Sequence, residues 1–149
     1  MRAKFVNEMS IKHLPGRSKE ELLKLCTGRP DAIFKRSKRD ARTTSLAGEI
    51  DTSYKTLVKL FGKPGTGDGY KTSTKWVVED DLGNVATIYD WKETDLYYSG
   101  GDSVAKFRKW PSYSWHIGTK RGGYFGFPAF DPIWDTIVED LRTFIYLNS

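Results

Sequence analysis

One cysteine, Cys26, excludes an internal disulfide framework and fits a reducing compartment. Histidine is nearly as scarce. His116 is alone in the C-terminal two thirds of the chain, with no cysteine close to it in sequence, so no metal site of zinc-type spacing is expected. No run of about 18 apolar residues occurs, so no membrane-spanning segment is predicted. The first residues lack an apolar stretch of signal-peptide type, which predicts an intracellular protein. The Gly65-Thr66-Gly67-Asp68-Gly69-Tyr70-Lys71-Thr72 stretch lacks the glycine that a phosphate-binding loop places directly before its lysine. It also lies after a helical pattern and before a strand pattern, the reverse of what such a loop needs, so it reads as a flexible connection and nucleotide hydrolysis is excluded.

Aromatic residues and basic charge are plentiful by contrast. Five Trp, eight Tyr and eight Phe offset a modest hydrophobic content of 38% in a chain of 149 residues, because each buries a large area. The formal charge is +5 and the pI near 9.2, which makes polyanions plausible partners. That charge is uneven. Residues 1–48 carry 12 Lys/Arg against 5 Asp/Glu, a balance of +7, whereas residues 49–149 carry 12 against 14, a balance of −2. The chain therefore divides into a basic N-terminal extension, 1–48, and a near-neutral core domain, 49–149.

In the extension, Ser18-Lys19-Glu20-Glu21 has capping-box spacing and predicts a short helix over Lys19–Thr27, with Cys26 packed as a small hydrophobe. Asp31 to Arg39 reads as a second short helical stretch capped by Asp31. The body is organised around Trp76–Trp91, two runs of strand-forming residues about a polar break from Asp80 to Asn84, which predicts a hairpin. Asp80 and Asp81 read as solvated turn residues. Before it, Tyr54, Leu57, Val58 and Phe61 make one apolar stripe, with Asp51 or Thr52 as cap and Gly62 and Pro64 as the stop. Leu46 to Ile50 reads as a short strand. After the hairpin, Asp102 can cap a short helix, Tyr113–Ile117 reads as a strand, and Asp131-Pro132 opens a final helix with a wide apolar face. The expected fold is α+β: a three- to four-stranded antiparallel meander with two helices packed on one face, in the order helix-strand-strand-strand-helix, behind a basic helical N-terminal extension.

The words Leu57-Val58-Lys59-Leu60-Phe61-Gly62-Lys63-Pro64, Thr74-Lys75-Trp76, Val85–Lys92 and Trp115-His116-Ile117-Gly118 together resemble a group of small, mostly uncharacterised proteins of bacteriophages and other large DNA viruses, over residues 46–120. The resemblance implies a viral accessory protein in the host cytoplasm, or one associated with the virion, and supplies no catalytic mechanism.

The residues themselves offer no nucleophile–base pair. Asp90 could orient His116 from the adjacent strand, but nothing completes a catalytic set, so no catalytic residue, cofactor or metal ligand is assigned. A non-enzymatic protein that acts by binding is expected. Lys35, Arg36, Lys38, Arg39 and Arg42, with Lys120 and Arg121, are candidate phosphate contacts for DNA or RNA. Tyr89 and Trp91 alternate away from Ala86 and Ile88, and with Trp110, Tyr124 and Phe125 they form a candidate aromatic platform for bases or a protein interface. The competing expectation is an inhibitor that holds a host or defence protein, or a minor virion component.

Overall fold

The computed structural model describes residues 19–24, 26–39, 41, 44–120 and 132–149, apart from the side chains at 19, 22, 23 and 132–135. Arg42, Arg121, Tyr124, Phe125, Asp131 and the proposed Ser18 cap lie outside the described residues. The elements in chain order are α1 (Lys19–Lys24), β1 (Phe34–Arg36), β2 (Thr44–Thr52), α2 (Tyr54–Phe61), β3 (Lys75–Asp80), β4 (Val85–Tyr89), α3 (Val104–Phe107), β5 (Tyr113–Lys120) and α4 (Pro132–Asn148).

The strands form one antiparallel sheet in the order β1-β3-β4-β5-β2. The meander β3-β4-β5 is present, and the fold is α+β. Two strands more than the meander complete the sheet, and both have a physical reason. Residues 31–39, expected to be helical, instead supply β1. Ala32, Phe34 and Ser37 are buried while Ile33, Lys35 and Arg36 are exposed, so the apolar set from 32 to 34 follows the period of a strand. Phe34 packs its ring 5.8 Å from Phe144, a contact that outweighs the helix signal of a single Asp31. The strand expected over Leu46–Ile50 extends to Thr44–Thr52 and pairs along the whole of β5, with a bulge between Leu46 and Gly48.

Alternation divides the sheet into two faces. Trp76, Val78, Ala86, Ile88, Trp115, Ile117 and Ile50 point to one side and form a core with Leu57 and Phe61 of α2 and Ile137, Val138, Leu141 and Ile145 of α4. Trp76 lies at the centre, 5.5 Å from Trp115 in an edge-on arrangement, and its Nε1 donates to the Gly62 carbonyl at 2.8 Å. Ser53, rather than Asp51 or Thr52, caps α2 by accepting from the Thr56 amide at 3.1 Å. Gly62 ends that helix at φ +82°, a conformation that favours glycine. Ser103, rather than Asp102, caps α3; Asp102 accepts from Trp110 Nε1 at 2.9 Å instead.

β2 is an edge strand, and α4 covers part of that edge. Arg142 Nε donates to the Glu49 carbonyl at 2.7 Å and Tyr146 Oη to the Asp51 carbonyl at 3.5 Å, which satisfies groups that would otherwise invite another strand. The segment before β1 is strapped to α4 by Arg29. Its amide and Nε donate to Asp140 at 2.8 and 3.0 Å, and its terminal nitrogens donate to Asp81 at 3.0 and 2.9 Å. Those hydrogen bonds hold the Asp81 carboxyl well below the usual range and raise the Arg29 guanidinium further. Asp81 is therefore the anchor of a clamp. Asp81 keeps the exposure expected of a turn residue, whereas Asp80 does not. It is buried, and it ties the hairpin together by accepting from the Leu82 amide at 2.9 Å, the Asn84 amide at 2.8 Å and Asn84 Nδ2 at 2.9 Å.

Candidate functional site

The face of the sheet turned away from the helices carries the residues of opposite parity. One cross-strand row runs Lys75 (β3), Tyr89 (β4), His116 (β5), Glu49 (β2). The Tyr89 and His116 rings stack at 5.5 Å and 26°, and His116 Nε2 lies 3.9 Å from Glu49 Oε2. Burial raises the Tyr89 phenol above its ordinary value. Asp90 does not orient His116. Its side chain points to the residues leading into β3, where Oδ1 accepts from the amides of Ser73 at 2.7 Å and Thr74 at 2.9 Å and Oδ2 accepts from Ser73 Oγ at 2.7 Å.

That buried carboxylate holds two chain segments together, and the result is a second group of residues. Trp91, the neighbour of Asp90, is 39% exposed. Its indole has the Lys92 ammonium 5.3 Å from the ring centre and the Lys71 ammonium at 5.8 Å, within cation–π range. The ring lies 6.4 Å from Tyr89 at 75°. Lys92 is at φ +60°, an uncommon backbone region for a side-chain-bearing residue. Its amide donates to the Lys71 carbonyl at 2.6 Å, and its ammonium also lies 5.0 Å from the Tyr97 ring. Tyr97 in turn packs 5.0 Å from Tyr70. Rings and ammonium groups thus alternate along this rim.

The glycine-rich stretch read as a flexible connection is a tied loop. Asp68 Oδ1 accepts from the amides of Tyr70 at 2.8 Å and Thr72 at 2.9 Å and from Thr72 Oγ1 at 3.2 Å. The Thr72 and Tyr70 amide bonds are the main reasons its pKa is lowered, so it is a carboxylate at neutral pH. Gly65 pairs with Lys75 beside β3. Between this loop and the sheet lie two hollows of about 610 and 220 Å³ that share Asp68 and Lys75. The larger reaches Arg36, Arg39 and Val77; the smaller reaches Thr44, Thr87, Tyr89 and Trp91.

The candidate cations fall in different places. Arg36 donates to the carbonyls of Phe61 and Lys63, where it completes the C-terminal end of α2. Arg39 donates to the Gly83 carbonyl at 2.8 Å and lies 3.8 Å from Glu79, while still lining the larger hollow. Lys35 and Lys38 are exposed at the β1 edge. Lys120 ends β5 opposite Thr44. Arg42, Arg121, Tyr124 and Phe125 lie outside the described residues. Trp110 is not brought to the row; it packs edge-on against Phe107 at 4.9 Å, on the core side.

Lys71, Lys75, Lys92, Tyr70 and Tyr97 are the residues that sequence reasoning missed. Lys75 was legible, since it alternates with Trp76 and so points opposite the core. The others depend on how two loops meet. Near them, burial, with the Asp90 charge second, raises the Glu93 carboxyl despite a hydrogen bond with Tyr113. Burial likewise raises the Tyr113 phenol, whose oxygen accepts from the Trp91 amide at 3.2 Å. Among the described residues no group of three or more His, Cys, Asp or Glu could hold a metal ion, and no helix is long and apolar enough to cross a membrane. No model of a known protein family matches the chain, and no curated protein matches it.

Proposed function

We propose that this chain acts by binding nucleic acid on the face of its sheet turned away from the described helices, without catalysing a reaction on it. The observation that carries this reading is the Trp91 indole with two ammonium groups over it, beside the Lys75–Tyr89 row at the smaller cleft, which shares Asp68 and Lys75 with the larger one that Arg39 lines. Flat rings accept bases and the cations take phosphates, a combination suited to nucleic acid of many sequences. Asp68 is the carboxylate lining that cleft, and its oxygen is engaged with its own loop. Basic residues before position 48 add to the field: Lys35 on β1 and Lys38 just after it are exposed at the edge of the sheet beside β3.

The viral setting, an accessory protein in the cytoplasm of an infected host, is supported by the sequence words over residues 46–120. Fluorescence-anisotropy titration of labelled oligonucleotides tests the binding. Four cations, Lys71, Lys75, Lys92 and Arg39, give a log–log salt slope of about −3. Absence of binding at low salt, together with a host protein captured in a complex that high salt does not dissociate, would replace this reading with the protein-inhibitor one.

A further inference from the structure

We infer that the ligand of this face is single-stranded nucleic acid, held by bases stacked along the rim formed by Trp91, Tyr97 and Tyr70. This inference rests on the nucleic-acid reading above and narrows its ligand.

The rim has one feature that phosphate binding alone does not require. Its cations sit against ring faces: Lys71 and Lys92 against Trp91, and Lys92 again against Tyr97. Tyr70 extends the series and is 53% exposed. In a duplex the base faces are stacked on one another, so that a protein meets only phosphates, sugars and groove edges. A ring that takes a base face needs a base already out of a duplex. A base stacking on the indole displaces these ammonium groups from the ring, and Lys71 and Lys92 then meet the phosphates on either side of it.

The surface is also pre-formed at the positions that matter. Lys92 is held at its left-handed backbone angle by the bond from its amide to the Lys71 carbonyl. The loop carrying Tyr70 and Lys71 is tied by Asp68, and Asp90 fixes Ser73 and Thr74 directly after it. Two loops on different parts of the chain are thereby fastened with their aromatic and cationic groups interleaved. Pre-organisation of this kind removes the ordering cost on the protein side, so that only the strand loses freedom on binding.

The test compares labelled oligo-dT, oligo-U and a blunt DNA duplex of equal length, with the intact chain and with Trp91→Ala, Trp91→Phe and Tyr97→Ala. Circular dichroism checks that each variant is folded. The single strands are expected to bind at least about tenfold more tightly than the duplex. Trp91→Ala is expected to weaken them by about ten- to a hundredfold, with Trp91→Phe recovering most of the loss. Tyr97→Ala should weaken them less and leave the duplex unaffected. Oligo-dT against oligo-U separates DNA from RNA as the source of the strand. Equal affinity for duplex and single strands, with Trp91→Ala indistinguishable from the parent, would overturn this inference and leave electrostatic binding on the same face intact. Failure of every oligonucleotide to bind at low salt removes both.

Discussion

Replacing Asp90 by Ala probes the joint on which the proposed site depends. The Asp90 side chain is fully buried, and its two oxygens accept from the Ser73 amide, the Thr74 amide and Ser73 Oγ. Thr74 Oγ1 also accepts from Arg108 Nε at 3.2 Å and Nη2 at 3.0 Å, and Arg108 lies over the Tyr54 ring at 4.9 Å. Alanine leaves three buried donors without their acceptor. At about 1–3 kcal/mol for each donor left unsatisfied, less whatever entering water recovers, the loss should be about 3–5 kcal/mol. That is a large part of the roughly 5–15 kcal/mol that a domain has. Asp90→Asn keeps one oxygen, which can accept from both amides, and should cost about 1–2 kcal/mol. Urea denaturation gives both values from the shift in midpoint at constant slope. Hydrogen exchange at Ser73 and Thr74 should accelerate in parallel. If Asp90→Ala lay within about 0.5 kcal/mol of the parent, the joint would contribute nothing and the pre-formed character of the Trp91 rim would lose its basis.

Two other perturbations read other parts of the account. Glu93→Gln should stabilise the protein at neutral pH. The folded state raises the Glu93 pKa from its ordinary value of 4.5, so it binds the proton more tightly than the unfolded chain. Stability from this group is therefore present at low pH and lost as pH rises through the ordinary and then the raised value. The variant's melting temperature should fall less than the parent's over that window, and parallel curves would contradict the assignment. Gly28→Ala should destabilise by about 1–3 kcal/mol. A Cβ there would lie 2.2 Å from the Glu139 carbonyl oxygen of α4, and relief of that clash must loosen the Arg29–Asp140 contact. A melting temperature unchanged within about 2 °C would show that the strap gives way without cost.

Much of this fold was legible because its signals are local. The runs of strand-forming residues on either side of the Asp80–Asn84 break marked the β3–β4 hairpin. The Tyr54–Phe61 stripe with Gly62 behind it gave α2. Misreadings arose where a long-range contact overrides a local preference. Asp31 is a good cap in isolation, but Phe34 has a place against Phe144 only as part of a strand. Asp80 and Asp81 read as solvated turn residues and Asp90 as a group that could orient His116, whereas each is used to fasten one segment to another. At the candidate site, parity set Tyr89 and Trp91 apart from Ala86 and Ile88, and the two line one hollow together. The loops that bring Lys71, Tyr97 and Tyr70 to Trp91 carry no periodicity, and sequence offers no means of pairing them. Arg36 shows the converse. Its basic character was plain, but its commitment to the end of α2 was not.

The most direct measurement is the salt dependence of oligonucleotide affinity for the parent and for the Lys71→Ala/Lys92→Ala pair. Each lysine that holds a phosphate contributes about 0.7 to the log–log slope for a single strand. The account predicts that the double variant binds more weakly and that its slope is shallower by about 1.4. A slope identical to the parent's, with affinity unchanged, would show that the two ammonium groups beside Trp91 meet no phosphate, and the central claim would fall.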